Sequence, residues 1–534
     1  MGNTEKLAEE STWKRCARRS EQGYYDLITD DFLGVPVRLF LTPKLLEEAD
    51  QKLYVQIVNA ARFPGVKLVA ITPDAHWGYG VPVGCVILTD ATDGAVAMGP
   101  VGFDIGCGMM SAQSSVEAEE ATPEKRLAFN RAVTERVELG QGGRSVRMRN
   151  LDKREFEELI RGGAEHYLNR FGADVDRSRA ERQRIPVDDD WDVPWGKQGR
   201  PERGIEQLGS LGGGNHFIEL QVSRQTGTLF VQVHTGSRGF GHGLATNYFE
   251  LARAEKPELL HNIDLGYFTP DSKHYRSYLN AVAAGGNFAI INRLILFEEI
   301  AAAFKKVFGR KLELVYEISH NLVQKEWHPE YGVVWAHRKG ATRAFPAGHP
   351  ALAGTVWEKT GHPVLIPGSN KDVSYILRPK AQAALSGFSV NHGAGRKLSR
   401  GQALKNLSQK AVDADYREAG ILVNLDGRVP LDEAAPCYKS CKEVVQAVLD
   451  AGLADVEHEL WPLSSLKGKD DRARRRKEKP QKTPTQWPET NWRDFLTQAE
   501  DDGEQADASA LEGPREASPE YPGDDEPEST KGHY

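Results

Sequence analysis

Six short segments of this chain combine metal-ligating or nucleophilic side chains with glycine, and each has a chemical and a structural reading. In Gly102-Phe-Asp-Ile-Gly-Cys-Gly108, Asp104 and Cys107 stand three apart in a loop that its glycines let fold tightly. A carboxylate and a thiolate converging there can share a divalent cation; the plainer alternative is a turn around a buried, inert cysteine. In Leu211-Gly-Gly-Gly-Asn-His-Phe-Ile-Glu219, a glycine-rich turn can set backbone N–H groups against a phosphate. His216 is then a candidate ligand and Asn215 a partner for a ligand oxygen, although a glycine turn alone is a weak signal. In His234-Thr-Gly-Ser-Arg-Gly-Phe-Gly-His242, His234 is followed by Arg238, whose planar fork suits phosphate oxygens. Ile318-Ser-His-Asn321 again places a histidine, His320, at the end of an apolar run.

The fifth segment, Trp335-Ala-His-Arg-Lys-Gly-Ala-Thr-Arg343, gathers the cations Arg338, Lys339 and Arg343. It reads either as a solvated basic loop or as a contact to RNA phosphates. The sixth, Val390-Asn-His-Gly-Ala-Gly-Arg-Lys-Leu-Ser-Arg400, sets His392 before a Gly-Ala-Gly turn that is expected to open a helix. A neutral imidazole there can attack phosphorus while helix N–H groups hold the remaining oxygens; the alternative is a capping or core histidine. A lone histidine is usually structural, but His216, His234 and His320 at strand–loop junctions, with Asp104 and Cys107, make a chance grouping much less plausible. Cys437 and Cys441, four apart, share a helix face and read as packing, as does Cys85 in its apolar run.

The elements that must hold these residues are legible as periodicity. Thr228–Val233, Leu312–Ser319, Tyr331–Ala336 and Phe388–Asn391 are short β-branched runs, and each leads into a histidine: His234, His320, His337 and His392. Longer amphipathic patterns near 122–137, 153–170, 276–308 and 432–450 predict helices, so the fold class is α/β in the mixed α+β sense. A polar stretch at 173–204, with Pro186, Pro194 and Pro201, reads as a surface insertion.

Composition sets the outer limits. A hydrophobic content of 40% over 534 residues supports a large core, and a net charge of −8 does not advertise nucleic-acid binding, though a local basic groove remains compatible with it. Five cysteines, an odd number, argue against a disulfide framework. The first residues lack the apolar segment of a secretory signal, Lys6 stands where a myristoylation motif wants Ser or Thr, and no apolar run reaches membrane-span length. A cytoplasmic protein without a membrane partner is the expectation. Residues 1–468 read as one body. Residues 469–534 read as an added tail, basic at first, then acidic and mostly disordered, with a segment bearing Trp487, Trp492 and Phe495 that can dock as a short helix.

Taken together and in order, the segments resemble the RtcB family of RNA-splicing ligases, from roughly Val35 to Gly468. The stretches GSLGGGNHF, HTGSRG, HRKGATRAF and HGAGR carry the resemblance. It implies one large body with a deep central metal and nucleotide cleft, and an enzyme that joins RNA 3′-phosphate or 2′,3′-cyclic phosphate ends to 5′-hydroxyl ends. GTP is the implied co-substrate and two Mn²⁺ ions the implied cofactor. Softness of Cys and His ligands alone would suit zinc as readily. The family's metal ligands fall on Asp104, Cys107, His216, His234 and His320, and its guanylate-accepting histidine on His392. Its guanylate contacts fall on Asn215, His216, Phe217, Ile218, Glu219, His320, Asn321, Pro367, Gly368, Ser369, Asn370, Ser374, Gly393, Ala394, Gly395, Tyr438 and Lys467. Arg238, Arg338, Lys339 and Arg343 are candidate RNA contacts, and an activating protein partner is compatible with the resemblance.

Two departures bear on specificity. Gly106 stands where many family members have Asn, and the usual Pro-Gly-Ser-Met-Gly reads Pro367-Gly-Ser-Asn-Lys-Asp372. The second bears on nucleotide preference and on the choice between RNA repair and tRNA splicing. Two other functions compete with ligation: an RNA end-modifying nucleotidyltransferase, and a non-catalytic RNA- or nucleotide-binding relative.

Overall fold

The computed structural model describes residues 10–140, 145–172, 174–180, 185–197, 199–256, 263–468 and 492–497. Two large sheets organise the chain. The first runs in the order Ala17–Arg19, Tyr25–Leu27, Val37–Leu39, Val66–His76, Val83–Asp90, Gly332–Lys339, Asn321–His328. The second runs Glu313–Ser319, Gly108–Glu117, Thr228–Thr235, Phe217–Ser223, Ala454–Lys467, Ser374–Pro379, Val364–Ile366, with Leu422–Val423 added in parallel on Ala454–Lys467. Both are otherwise antiparallel except where Val37–Leu39 pairs with Val66–His76. The strands are rich in β-branched residues, and the central ones are buried on both faces, as in Phe217–Ser223.

Helices Pro123–Thr134, Lys153–Phe171, Arg238–Glu255 and Tyr275–Phe308 pack with the second sheet in the largest apolar cluster. The last of these has 34 residues and is long and apolar enough to cross a membrane, contrary to the expectation that no run would be. In its most apolar stretch 94% of the residues are buried inside the fold, so here it serves as the core helix.

Two other expectations gain detail. The stretch 173–204, mostly exposed or half-buried in its described part, is tied to the body: Trp191 and Val193 are buried, and the backbone N–H groups of Ile185 and Asp188 donate to Asn287 and Asn280 of the core helix. Its polarity satisfies that helix's buried amides. The helix expected over 432–450 begins only at Cys441, because Pro430 and Pro436 break the preceding segment into short 3₁₀ turns. The disordered-tail reading falls outside the described residues except at Trp492–Thr497, a short helix with Trp492 and Phe495 buried.

Candidate metal and nucleotide site

Antiparallel pairing explains why distant segments meet. Successive strands of the second sheet alternate direction, so one edge collects the end of Glu313–Ser319, the start of Gly108–Glu117, the end of Thr228–Thr235, the start of Phe217–Ser223 and the end of Ala454–Lys467. The register sets Gly108 opposite both Ser319 and Thr235, and Phe217 opposite both His234 and Lys467. His320 lies where the chain leaves this sheet and enters the other at Asn321. Its N–H donates to the Cys107 carbonyl, and Gly106 N–H donates to the Asn321 carbonyl.

The five candidate ligands form one cluster at this edge. Cys107 Sγ lies 3.5 Å from His216 Nε2 and 3.3 Å from His234 Nε2. Asp104 Oδ2 is 3.1 Å from His216 Nε2, and His320 Nε2 is 3.3 Å from His234 Nε2. The ligand atoms of Cys107, His216 and His234 all lie within 4.8 Å of one another. His216 Nδ1 is 3.1 Å from the Leu211 carbonyl and His234 Nδ1 is 3.1 Å from the Asn215 carbonyl. Donation there orients both rings, so that both Nε2 atoms face the sulfur. Arg238 Nη1 stands 3.3 Å from the same His216 nitrogen, which cannot both donate and accept; the shorter carbonyl contact fixes it as donor.

Electrostatics fit a cation at this place. Burial would raise the Asp104 pKa, but the hydrogen bond and charge of His216, with Arg238, hold it far below the usual range. Burial keeps His234 and His320 well below the usual imidazole value, so both are neutral donors. Burial, with Asp104, pushes the Cys107 thiol up, which a bound cation would reverse by favouring thiolate. A buried thiol and imidazoles beside the half-buried Asp104 carboxylate form a donor set that could hold a divalent metal.

His392 stands beside the cluster, its ring 4.8 Å from that of His320, centroid to centroid. Its Nδ1–H donates to Asp74 Oδ2 at 2.6 Å, and the same oxygen accepts its backbone N–H at 3.0 Å. Asp74 is fully buried; burial alone would raise its pKa, but the charge and hydrogen bonds of His392 hold it low. Donation from Nδ1 to Asp74 leaves Nε2 on the side of the ring away from that carboxylate. Asp74 was missed in the sequence, although Val66–His76 shows the same signal as the others, an apolar run ending in ligating residues.

A cavity of about 420 Å³ joins these groups. Of the candidate nucleotide contacts, Asn215, Phe217, Glu219, His320, Asn321, Pro367 to Asn370, His392 to Gly395, Tyr438 and Lys467 line it, together with Asp104, Cys107 and His234. Three do not: His216 sits behind Cys107, Ile218 points into the core, and the Ser374 hydroxyl lies beneath the floor, accepting from Gly368 N–H. On one side Glu433 gathers Arg396, Arg400 and Lys467 at 3.3 to 3.6 Å and accepts the Tyr438 hydroxyl. Burial pushes the Glu219 carboxyl up to about 8, so at neutral pH it presents largely an O–H donor.

The expectation of a helix after His392 is corrected. Residues 393–399 form a loop, and the next helix starts at Arg400, capped by Ser399. Gly395 has φ +76°, and a Cβ there would lie 2.1 Å from the Asp74 carbonyl oxygen, so the turn serves close approach to the Asp74 strand. Of the basic segment, Arg338 is corrected as an RNA contact, because it is buried against Glu326. Arg338 is 2% exposed and binds both oxygens of Glu326; Lys339 donates to the Tyr79 and Val81 carbonyls; Arg343 reaches Gln324 and Tyr316. Lys339 lines the cavity, whereas Arg238, Arg338 and Arg343 do not. His337, fourth of the strand-end histidines, is a core residue bonded to Ala97 N–H and the Ile87 carbonyl.

Fold and site define a class: mixed α+β proteins with a buried Asp–Cys–His cluster beside a carboxylate-oriented histidine. The sequence matches the family described as tRNA-splicing ligase RtcB over residues 56–468. It is 33% identical over 479 residues to the tRNA-splicing ligase RtcB of Nanoarchaeum equitans, covering 84% of this chain and 99% of that protein. It is 35% identical over 442 residues to the RNA-splicing ligase RtcB of Mycobacterium tuberculosis, covering 78% and 100%. With the Thermococcus kodakarensis tRNA-splicing ligase RtcB it shares 33% over 470 residues, covering 82% and 96%. The chain belongs to the RtcB family.

Proposed function

We propose that this protein is a GTP- and Mn²⁺-dependent RNA ligase that joins 3′-phosphate or 2′,3′-cyclic phosphate ends to 5′-hydroxyl ends through a covalent His392–GMP intermediate. The observation that carries the reading is the Asp74–His392 pair at 2.6 Å, with the imidazole facing a cavity that also holds the Asp–Cys–His cluster. Asp104, Cys107, His216, His234 and His320 would hold two manganese ions, which when bound would neutralise phosphate charge and polarise phosphorus.

His392 Nε2 attacks the α-phosphorus of GTP; an N–P bond forms, the P–O bond to the β-phosphate breaks, and pyrophosphate leaves. Asp74 holds the Nδ1 proton and offsets the positive charge on the ring. An oxygen of the RNA 3′-phosphate then attacks the same phosphorus and displaces His392. A cyclic end must first be opened by water to a 3′-monoester. Finally the 5′-oxygen attacks the 3′-phosphorus, loses its proton, and GMP departs. Arg396, Arg400 and Lys467 supply the positive wall suited to the guanylate phosphate.

Labelled GTP with Mn²⁺, followed by denaturing electrophoresis, tests this. A band that is acid-labile, comparatively stable in alkali and absent in His392→Ala is expected, together with sealing of a 3′-phosphate strand to a 5′-hydroxyl strand. A band that survives His392→Ala overturns the nucleophile. An adduct without sealing supports an end-modifying nucleotidyltransferase instead, and no adduct with any nucleoside triphosphate supports a binding protein.

A further inference from the structure

The loop that joins Val66–His76 to Val83–Asp90 carries two large aromatic side chains, Trp77 and Tyr79, that are 51% and 67% exposed. Its backbone is anchored at successive residues. Gly78 N–H donates to Gln56 Oε1 at 3.0 Å, and Asn59 Nδ2 donates to the Gly80 carbonyl at 2.9 Å. Lys339 Nζ, itself buried, donates to the carbonyls of Tyr79 at 2.6 Å and Val81 at 3.2 Å. Gly80 has φ +70°, and a Cβ there would lie 2.9 Å from Asp264. Fixing a backbone with buried polar groups while leaving its aromatic rings in water is the arrangement of a recognition surface, where rigid rings meet a partner at small entropic cost.

Tyr79 lines the cavity beside Phe103; the rings are edge-to-face at 6.3 Å, and Phe103 in turn stacks on Phe249 at 4.8 Å. Phe103 immediately precedes Asp104 of the metal cluster. The cavity lining is therefore of two unlike kinds. One is charged and gathers cations around Glu433. The other is aromatic, and its cation, Lys339, has its ammonium engaged by the loop. The charged region suits phosphates; the aromatic region suits a base, whose π-face stacks whatever its identity.

Stereochemistry selects which base. In the last step the 5′-oxygen must reach the 3′-phosphorus roughly in line with the departing GMP. With guanylate in the charged region, the 5′-hydroxyl strand enters from the aromatic one. We propose that Tyr79, flanked by Trp77 and backed by Phe103, is the stacking platform for the 5′-terminal base of the strand that supplies the 5′-hydroxyl. This assignment rests on the ligase reading above.

Two measurements test it. In the first, a strand with its 3′-phosphate already guanylylated is sealed to a ribo-oligonucleotide bearing either a normal or an abasic 5′-terminal nucleoside. With the wild type, the abasic end should raise the half-saturating concentration of that strand roughly 5- to 150-fold, the loss of one base–aromatic stack. Tyr79→Ala should cost a similar factor, Tyr79→Phe little, and Tyr79→Ala with the abasic end no more than either change alone. Losses that multiply instead would overturn the proposal. In the second, direct binding of an oligonucleotide with 2-aminopurine as its 5′-terminal base should quench fluorescence in the wild type and Tyr79→Phe, and lose that quenching in Tyr79→Ala. Quenching that persists in Tyr79→Ala overturns the platform. A wild type that seals nothing defeats the ligase reading, while the fluorescence measurement still decides the stacking site.

Discussion

Cys107 is the sulfur toward which both His216 and His234 turn their Nε2 atoms, so the cluster cannot be closed without it. Cys107→Ala should lower bound Mn²⁺, measured by elemental analysis of the folded protein, by at least about 10-fold, because loss even of an outer partner of a ligand costs that much. Unchanged metal content would remove Cys107 from the site. Asp74→Asn tests the orientation of His392. The amide lacks the charge that offsets imidazolium and can turn its NH₂ toward Nδ1, selecting the wrong tautomer. The rate of guanylate adduct formation should fall roughly 10²- to 10⁴-fold, the scale of a positioned acid–base partner. Sealing of RNA that already carries guanylate should fall far less, because that substrate bypasses His392; equal losses in the two assays would mark Asp74 as merely structural. The ligands were legible because Asp, Cys and His beside glycine at strand ends is a rare conjunction. Arg338 was misread because its partner, Glu326, lies on the neighbouring strand of a hairpin, and nothing local in Trp335–Arg343 signals that pairing. The two departures also resolve unequally. A Cβ on Gly106 would lie 2.8 Å from Ala289 Cβ of the core helix, so that position concerns packing. Of Asn370 to Asp372, Asn370 faces the cavity, fixed by the Tyr416 hydroxyl, whereas Lys371 pairs with Asp415 and Asp372 accepts Cys441 N–H.

At the scale of elements, Arg293 is the tie between the core helix and the three ligand-bearing loops. Its guanidinium, fully buried, donates to the carbonyls of Gly106 at 2.8 Å and Thr235 at 3.1 Å, to Ser319 Oγ at 2.8 Å and to Glu317 at 3.0 Å. Those loop residues are the neighbours in sequence of Cys107, His234 and His320. Arg293→Met strands the buried Glu317 and should destabilise the fold by about 3–5 kcal/mol, read by denaturant unfolding. Pairing it with Glu317→Leu should recover much of that stability, since an apolar pair removes the stranded charge, yet metal affinity should stay reduced because the loop carbonyls remain untied. Recovery of metal affinity along with stability would confine Arg293 to a packing role. The strand runs that lead into histidines and the helices Pro123–Thr134, Lys153–Phe171 and Tyr275–Phe308 were legible from period 2 and period 3.6, whereas the helix Arg238–Glu255 was not read. What was not legible is how polar segments are used. The stretch around Trp191 is polar because it satisfies buried asparagines of the core helix, and Gly395 is small because it passes against the Asp74 carbonyl, not because it starts a helix.

At the scale of the molecule, the chain beyond Gly468 is not uniform in function. Trp492 and Phe495 bury themselves against the body: Phe495 lies 5.5 Å from Trp461, Arg224 sits 4.2 Å over its ring, and Arg224 Nε donates to the Phe495 carbonyl. Composition predicts an acidic, Pro-rich tail interrupted by an aromatic segment able to dock as a short helix, and Trp492–Thr497 docks as one. Where the chain is cut therefore matters for the fold. Ending the chain after Glu500 should leave thermal stability within about 0.5 kcal/mol of the full chain, the usual range for surface changes. Ending it after Gly468 removes two buried aromatic side chains and uncovers Trp461, and should cost roughly 3–6 kcal/mol at about 1.5–3 kcal/mol per side chain, an upper bound for a helix at the margin of the core. The substitutions Trp492→Ala and Phe495→Ala in the full chain should reproduce most of that loss. Adduct formation at His392 should persist in every one of these variants at a temperature where the body is folded, because none of these side chains lines the cavity. If the chain ending at Gly468 unfolds with the same midpoint as the full protein, the helix does not hold to the body in solution. If it loses the guanylate adduct while folded, the tail reaches the site through Lys467, the last cavity residue before it.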